Sequence, residues 1–73
     1  MLTPKQKDIL GCIKRFGKDK AISAMDVGLY FEQPRKKAEK WAKPAIKELI
    51  KQKLVYKDEN GYKPIIEQKT TMD

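Results

Sequence analysis

The 73 residues carry 17 Lys or Arg against 10 Asp or Glu and no His, a formal net charge of +7 with 37% of residues charged. A chain of this length is one domain with a small core, and no stretch approaches the ~18 apolar residues of a membrane span or the apolar centre of a signal peptide. One Cys and no His exclude an internal disulfide, a thiolate–imidazole pair and the common zinc sites, so a reducing, cytoplasmic setting is the expectation.

Thr3-Pro4-Lys5-Gln6 reads as a helix start: Thr3 caps free N–H groups, Pro4 suits the first helical position, and Gln6 completes a capping box. Ile9, Leu10, Ile13 and Phe16 then recur at helical intervals and form one apolar stripe. Cys12 lies beside that stripe as a small core residue, with no base at hand to activate it. Gly17 is expected to end the helix in the left-handed conformation, which gives a first helix over about 4–17. Lys18-Asp19-Lys20 reads as a loop and Ala21-Ile22 as a very short strand. Ser23 with Asp26 opens a second helix over about 24–31. Val27, Tyr30 and Phe31 share one face of it, and Gly28 marks a close approach to another helix. Glu32-Gln33-Pro34 turns the chain, because Pro disfavours a helical residue before it.

The longest helical pattern lies between Pro34 and Gln52. Ala38, Ala42, Ala45, Ile46 and Leu49 fall on one side at 100° per residue, and Lys36, Lys40, Lys43, Lys47 and Lys51 fall on the opposite side. Pro44 conflicts with a continuous helix, since it removes the bond to residue 40 and costs about 3 kcal/mol in a helix interior. The expectation is a two-part element, 34–41 and 43–53. Leu54-Val55-Tyr56-Lys57 reads as a strand and Asp58-Glu59-Asn60-Gly61 as a hairpin turn, because Asn-Gly accepts positive φ. Tyr62 to Ile66 returns as an edge strand, Pro64 having no N–H to give a ladder. The domain is therefore 1–66, and the polar residues 67–73 are expected to fray as a disordered tail.

The charge is concentrated. Residues 33–53 hold Arg35, Lys36, Lys37, Lys40, Lys43, Lys47, Lys51 and Lys53 against Glu39 and Glu48, a net of +6. The other 52 residues hold nine basic and eight acidic groups. Clustered positive charge is the footprint of a polyanion partner, whereas solubility alone does not require such concentration. The plainer reading is a solvated basic helix face.

The order helix, short strand, helix, helix, strand, turn, strand resembles the winged-helix variant of the helix-turn-helix over about residues 2–66. Leu2-Thr3-Pro4-Lys5-Gln6 followed by Ile9-Leu10 and Ile13 resembles the opening helix of LexA-type and MarR-type bacterial repressors. The stretch from Ala45 to Val55, Ala-Ile-Lys-Glu-Leu-Ile-Lys-Gln-Lys-Leu-Val, resembles the passage from their recognition helix into the wing. The resemblance implies a mainly α fold with a small β-hairpin wing (α+β): three helices plus a two- to three-stranded sheet. It also implies a DNA-binding transcriptional regulator or mobile-element accessory factor. There are three departures. Lys53 stands where the family usually ends its recognition helix on Gly, so a different helix end is expected. The segment between helix 2 and the wing is longer than the family norm by about one turn. The wing tip carries Asp58 and Glu59, which phosphate would repel.

In a helix-turn-helix the second helix of the pair enters the major groove. Transferred to this chain, that role puts Arg35, Lys36, Lys37, Lys40, Trp41, Lys43 and Lys47 nearest duplex DNA, with Gln33 in reach of a base and Lys57 and Lys63 as contacts at the base of the wing. Lysine neutralises phosphate but lacks the fork of Arg that reads guanine, so phosphate binding outweighs sequence reading. Trp41 has two readings, packing against the core beneath helix 2 or stacking on a base or partner. Tyr30, Phe31, Tyr56 and Tyr62 have the same two, packing first. Catalysis has no support: there is no Ser–His or Cys–His pairing, no phosphate loop, no metal spacing and no cofactor motif. The competing function is a protein–protein module whose lysines dock an acidic partner surface. A homodimer, through helix 1 or the strand at 62–66, is a further expectation, and a membrane role is not, because the apolar face is needed for the core.

Overall fold

The computed structural model describes residues 2–65. Three helices, α1 (Pro4–Phe16), α2 (Ala24–Tyr30) and α3 (Arg35–Lys51), precede a hairpin of β1 (Val55–Asp58) and β2 (Gly61–Pro64). The fold is mainly helical α+β, with one two-stranded antiparallel sheet among the described residues, an order compatible with a winged-helix-like layout. The tail expected at 67–73 lies outside the described residues, as do Met1 and Ile66.

Local chemistry accounts for the helix starts. The Gln6 N–H donates to Thr3 Oγ1 at 3.1 Å and the Thr3 N–H donates to Gln6 Oε1 at 3.0 Å, a reciprocal capping box ahead of Pro4. The Ser23 hydroxyl accepts from the Asp26 N–H at 3.1 Å and starts α2. All five residues of the expected α3 stripe, Ala38, Ala42, Ala45, Ile46 and Leu49, are buried. Ala42, Ala45, Ile46 and Leu49 meet Ile9, Leu10, Cys12 and Ile13 of α1, Ala24 and Val27 of α2, and Val55 of β1 in one core, while Ala38 lies against Gly28 of α2. Burial pushes the Cys12 thiol up from its ordinary value, so it is a packing residue with little thiolate to react.

Several expectations are corrected. Pro44 does not divide the third helix, which runs unbroken from Arg35 to Lys51. Lys40 and Pro44 are both exposed, so the carbonyl deprived of its donor faces water, and the buried stripe holds both halves against the core. Gly17 does not take the left-handed conformation; its φ is −91°. Phe16 is exposed rather than core, because it lies one turn past Ile13, the last core residue of its stripe. Tyr30 is exposed too. Ala24, Val27 and Gly28 centre the buried arc of α2 more than a quarter-turn away from it.

The helix ends hold two further departures. Lys53 adopts φ 62°, the left-handed conformation usual for Gly, so the different helix end expected for a non-Gly residue there does not arise. Its N–H donates to the Ile50 carbonyl at 2.9 Å, and the Leu54 N–H donates to the Leu49 carbonyl at 2.9 Å. That is a Schellman motif, closed by Leu54 packing on the core. Glu32, at φ 61°, ends α2 in the same way: its N–H donates to the Leu29 carbonyl at 2.9 Å, and the Gln33 N–H donates to the Gly28 carbonyl at 3.0 Å. Lys53→Gly is expected to stabilise by about 0.5–1 kcal/mol, net of the entropy Gly adds to the unfolded chain, and to raise the melting midpoint by roughly 2–8 °C. Scanning calorimetry checks this, and a lowered midpoint would contradict it.

The hairpin register pairs Val55 with Pro64, Tyr56 with Lys63, Lys57 with Tyr62 and Asp58 with Gly61. The loop is therefore Glu59-Asn60. The turn therefore lies at Asp58–Gly61 as expected, but neither loop residue has the positive φ expected of Asn60. Gly61 instead opens β2 at φ 150°. A Cβ there would lie 2.6 Å from the Ile22 carbonyl oxygen, so a side chain is excluded by both backbone and space. Ile22 makes a single bridge to Tyr62, each N–H donating to the other's carbonyl at 3.0 and 2.8 Å. The short strand expected at 21–22 is thus one bridge on the outer edge of β2. Pro64 lies two residues beyond it and is buried; having no N–H, it leaves no donor unpaired on that edge.

Candidate nucleic-acid interface

The surface of α3 is ordered by its buried side. Burying Ala38, Ala42, Ala45, Ile46 and Leu49 turns Lys36, Lys40, Lys43, Lys47 and Lys51 outward, and all five are exposed. Because Pro44 leaves the helix continuous, the lysines form one ridge along it. The first turn of α3 also carries Arg35, Lys36 and Lys37, with no acidic residue and no side-chain cap. Cations at a helix N-terminus oppose the helix dipole, so this arrangement works against α3 and suits an anion supplied from outside.

Three surface clefts run along this ridge and share residues. The first, about 480 Å³, is lined by Gln33, Lys36, Lys37, Lys40 and Trp41. The second, about 530 Å³, lies between α3 and the hairpin and has an apolar floor of Pro44, Ile50 and Tyr62 flanked by Lys40, Lys43 and Lys47. The third, about 320 Å³, brings Lys43 together with Lys57, Glu39 and Glu59 beside Tyr62. Lys40 joins the first cleft to the second, and Lys43 joins the second to the third. The result is a row of adjoining clefts, a trough of mainly basic lining, from Gln33 to Lys57.

Most of the residues singled out in the sequence meet there: Gln33, Lys36, Lys37, Lys40, Lys43, Lys47, Lys57 and Trp41. Arg35 stands exposed at the start of α3 and lines none of these clefts. Lys63 is not brought to the trough. It pairs with Tyr56, while Lys57 pairs with Tyr62. Successive pairs of an antiparallel ladder face opposite sides, so Lys57 shares the α3 side with Tyr62 and Lys63 points away from it.

Polar partners refine the trough. Lys43 Nζ lies 3.3 Å from Glu39 Oε2 one turn earlier, with both side chains about half exposed. A pair of this kind is worth about 0.3–0.5 kcal/mol, so an approaching phosphate competes with it readily. Gln33 Nε2 donates to the Phe31 carbonyl at 3.4 Å, a long bond that orients the amide at the mouth of the first cleft. Trp41 is half-buried against the core, with its ring centroid 5.5 Å from that of Phe31.

Lys5 was not legible from the sequence as part of this surface. Its Nζ sits 4.4 Å from the centroid of the Trp41 ring, so a cation of α1 stands against a residue that lines the first cleft. No local pattern links two residues so far apart in the chain. The Glu39–Lys43 pair, in contrast, carries a readable signal: an acid four residues before a lysine. Among the described residues, no three Asp, Glu, Cys or His side chains group to hold a metal, and no helix is long and apolar enough to cross a membrane. No protein-family model, curated protein or solved structure gives a significant match to the chain.

Proposed function

We propose that the chain is a winged-helix DNA-binding module, a transcriptional regulator or mobile-element accessory factor of the cytoplasm, that sets α3 in the major groove of duplex DNA. The observation that carries this reading is the unbroken α3, with five lysines aligned opposite its buried stripe and joined to Lys57 by a row of adjoining clefts. Each ammonium that neutralises a phosphate releases condensed counterions, which is how a lysine surface of this kind gains affinity. The uncapped, cation-laden start of α3 gains from a phosphate at the same place. Sequence reading falls to Gln33 and Arg35, whose side chains have the geometry for base edges. Titration of a labelled random duplex at low salt tests the reading, followed by selection from a random duplex pool. Binding that weakens steeply with salt is expected, and no detectable binding to any duplex at low salt removes it.

A second reading, docking on an acidic protein surface, is favoured by one observation. The hairpin end of the trough carries Glu59 beside Lys43 and Lys57, a mixture of signs that suits a protein surface better than a phosphate backbone. Affinity capture that returns a protein and no DNA would support it.

A further inference from the structure

Among the described residues, six large hydrophobic side chains stand exposed, and three of them meet in one place: Phe16 (45% exposed), Leu29 (38%) and Tyr30 (49%). They surround a shallow cleft of about 480 Å³ at the junction of α1 and α2, floored by Ile22 and bearing Lys20 and Asp26. The Phe16 and Tyr30 rings pack at 5.0 Å between centroids, so the apolar surface is continuous across the two helices. No residue of this cleft belongs to α3 or lines the basic trough. Clustered exposed hydrophobics that serve no core are the signature of a protein contact. The charges say which protein. The basic trough invites a polyanion, but this cleft carries one cation and one anion. A face that holds both partners of an ion pair around an apolar centre complements a copy of itself, since a two-fold axis sets each group against its opposite.

We infer that this face is a two-fold homodimer interface, with Phe16, Leu29 and Tyr30 buried at its centre and Lys20 of each copy set against Asp26 of the other. The pairing leaves both α3 ridges outside the interface, and it stands independently of DNA binding. Two properties of the design make it testable. Lys20 and Asp26 are exposed, so their charges can be reversed without disturbing the core; Asp26 stands in the first turn of α2, where a cation opposes the helix dipole, so circular dichroism of Asp26→Lys accompanies the measurement. In a two-fold dimer, moreover, two complementary reversals restore each other.

Sedimentation equilibrium of the protein alone, from micromolar to millimolar concentration, is expected to show the mass rising from 8.5 kDa towards twice that value. Leu29→Asp should hold it at the monomer mass, with circular dichroism reporting an intact fold. Lys20→Asp alone and Asp26→Lys alone should each weaken association, and an equimolar mixture of the two should recover it as a heterodimer. A wild-type chain that stays monomeric throughout overturns the inference and assigns the face to a different protein. A dimer indifferent to Leu29→Asp, or charge variants that do not rescue each other, overturns it equally. Because no DNA is present, these outcomes are separate from the fate of the DNA-binding reading.

Discussion

Replacing Lys40, Lys43 and Lys47 together by Ala is expected to flatten the plot of log affinity for duplex DNA against log salt by about 2.7, a slope of about 0.9 for each lost phosphate contact. Two lines of those slopes converge near 1 M salt, so at ~0.1 M the variant binds weaker by on the order of several hundredfold. The three lysines stand on the exposed face of α3 around the central cleft. Ala is the strongest helix former at such positions, so the fold is expected to survive and the loss is one of charge. Glu39→Gln should act in the opposite direction by about twofold, because it releases Lys43 from a surface ion pair worth about 0.3–0.5 kcal/mol. Fluorescence anisotropy across a salt series measures both. Parallel lines for wild type and triple variant would mean that the ridge does not meet phosphate, and would move the function to the acidic-protein reading.

Gly28→Ala carries the largest expected effect on stability. A Cβ on Gly28 would lie 2.4 Å from the Ala38 carbonyl oxygen and 2.6 Å from both its carbonyl carbon and its Cα. All three are backbone atoms of α3, so no rotamer change can relieve the overlap and α2 must move off its partner. Overpacking of this kind costs about 3 kcal/mol or more, against a total stability of roughly 4–11 kcal/mol for 73 residues. The melting midpoint should fall by about 12 °C or further. Gly11→Ala is the matched control. Nothing lies within 4 Å of its added Cβ, so the same substitution in α1 should stabilise by about 0.5–1 kcal/mol through helix propensity. Two Gly-to-Ala changes of opposite sign in one protein isolate close approach from propensity. A Gly28→Ala variant that melts with the wild type would place the two helices further apart than described here.

What could be read in advance was what depends on near neighbours. Thr3 with Gln6, Ser23 with Asp26, and the alanine stripe of α3 all act within one or two turns, and each stands in the structure as its spacing requires. Gly28 belongs with them, as a missing side chain on a buried face. Pro44 misled because a local penalty was weighed without the packing that opposes it; the core grips α3 on both sides of the proline. Lys53 misled for a related reason. The left-handed backbone favours Gly, yet the Schellman hydrogen bonds and the burial of Leu54 hold a bulky residue there. Lys5 over Trp41 is a tertiary contact with no trace in the local sequence. The separation of Lys57 from Lys63 was legible in principle. Both are lysines at the base of a hairpin, but the register, which the turn expected at Asp58–Gly61 already implies, sends them to opposite faces.

The bridge between Ile22 and Tyr62 sets how the molecule opens. Two strands alone are marginal in water, and these two are tied by reciprocal hydrogen bonds to the connection between α1 and α2. The tie joins positions 40 residues apart in the sequence, so its closure entropy must be met before the hairpin gains from it. The hairpin therefore cannot fray as an independent flap while the helices stay closed around it. It is expected to open as one unit with the loop before α2. Amide hydrogen exchange should report a single opening free energy at Ile22 and Tyr62, and distinct values at the two sites would separate the hairpin from that loop.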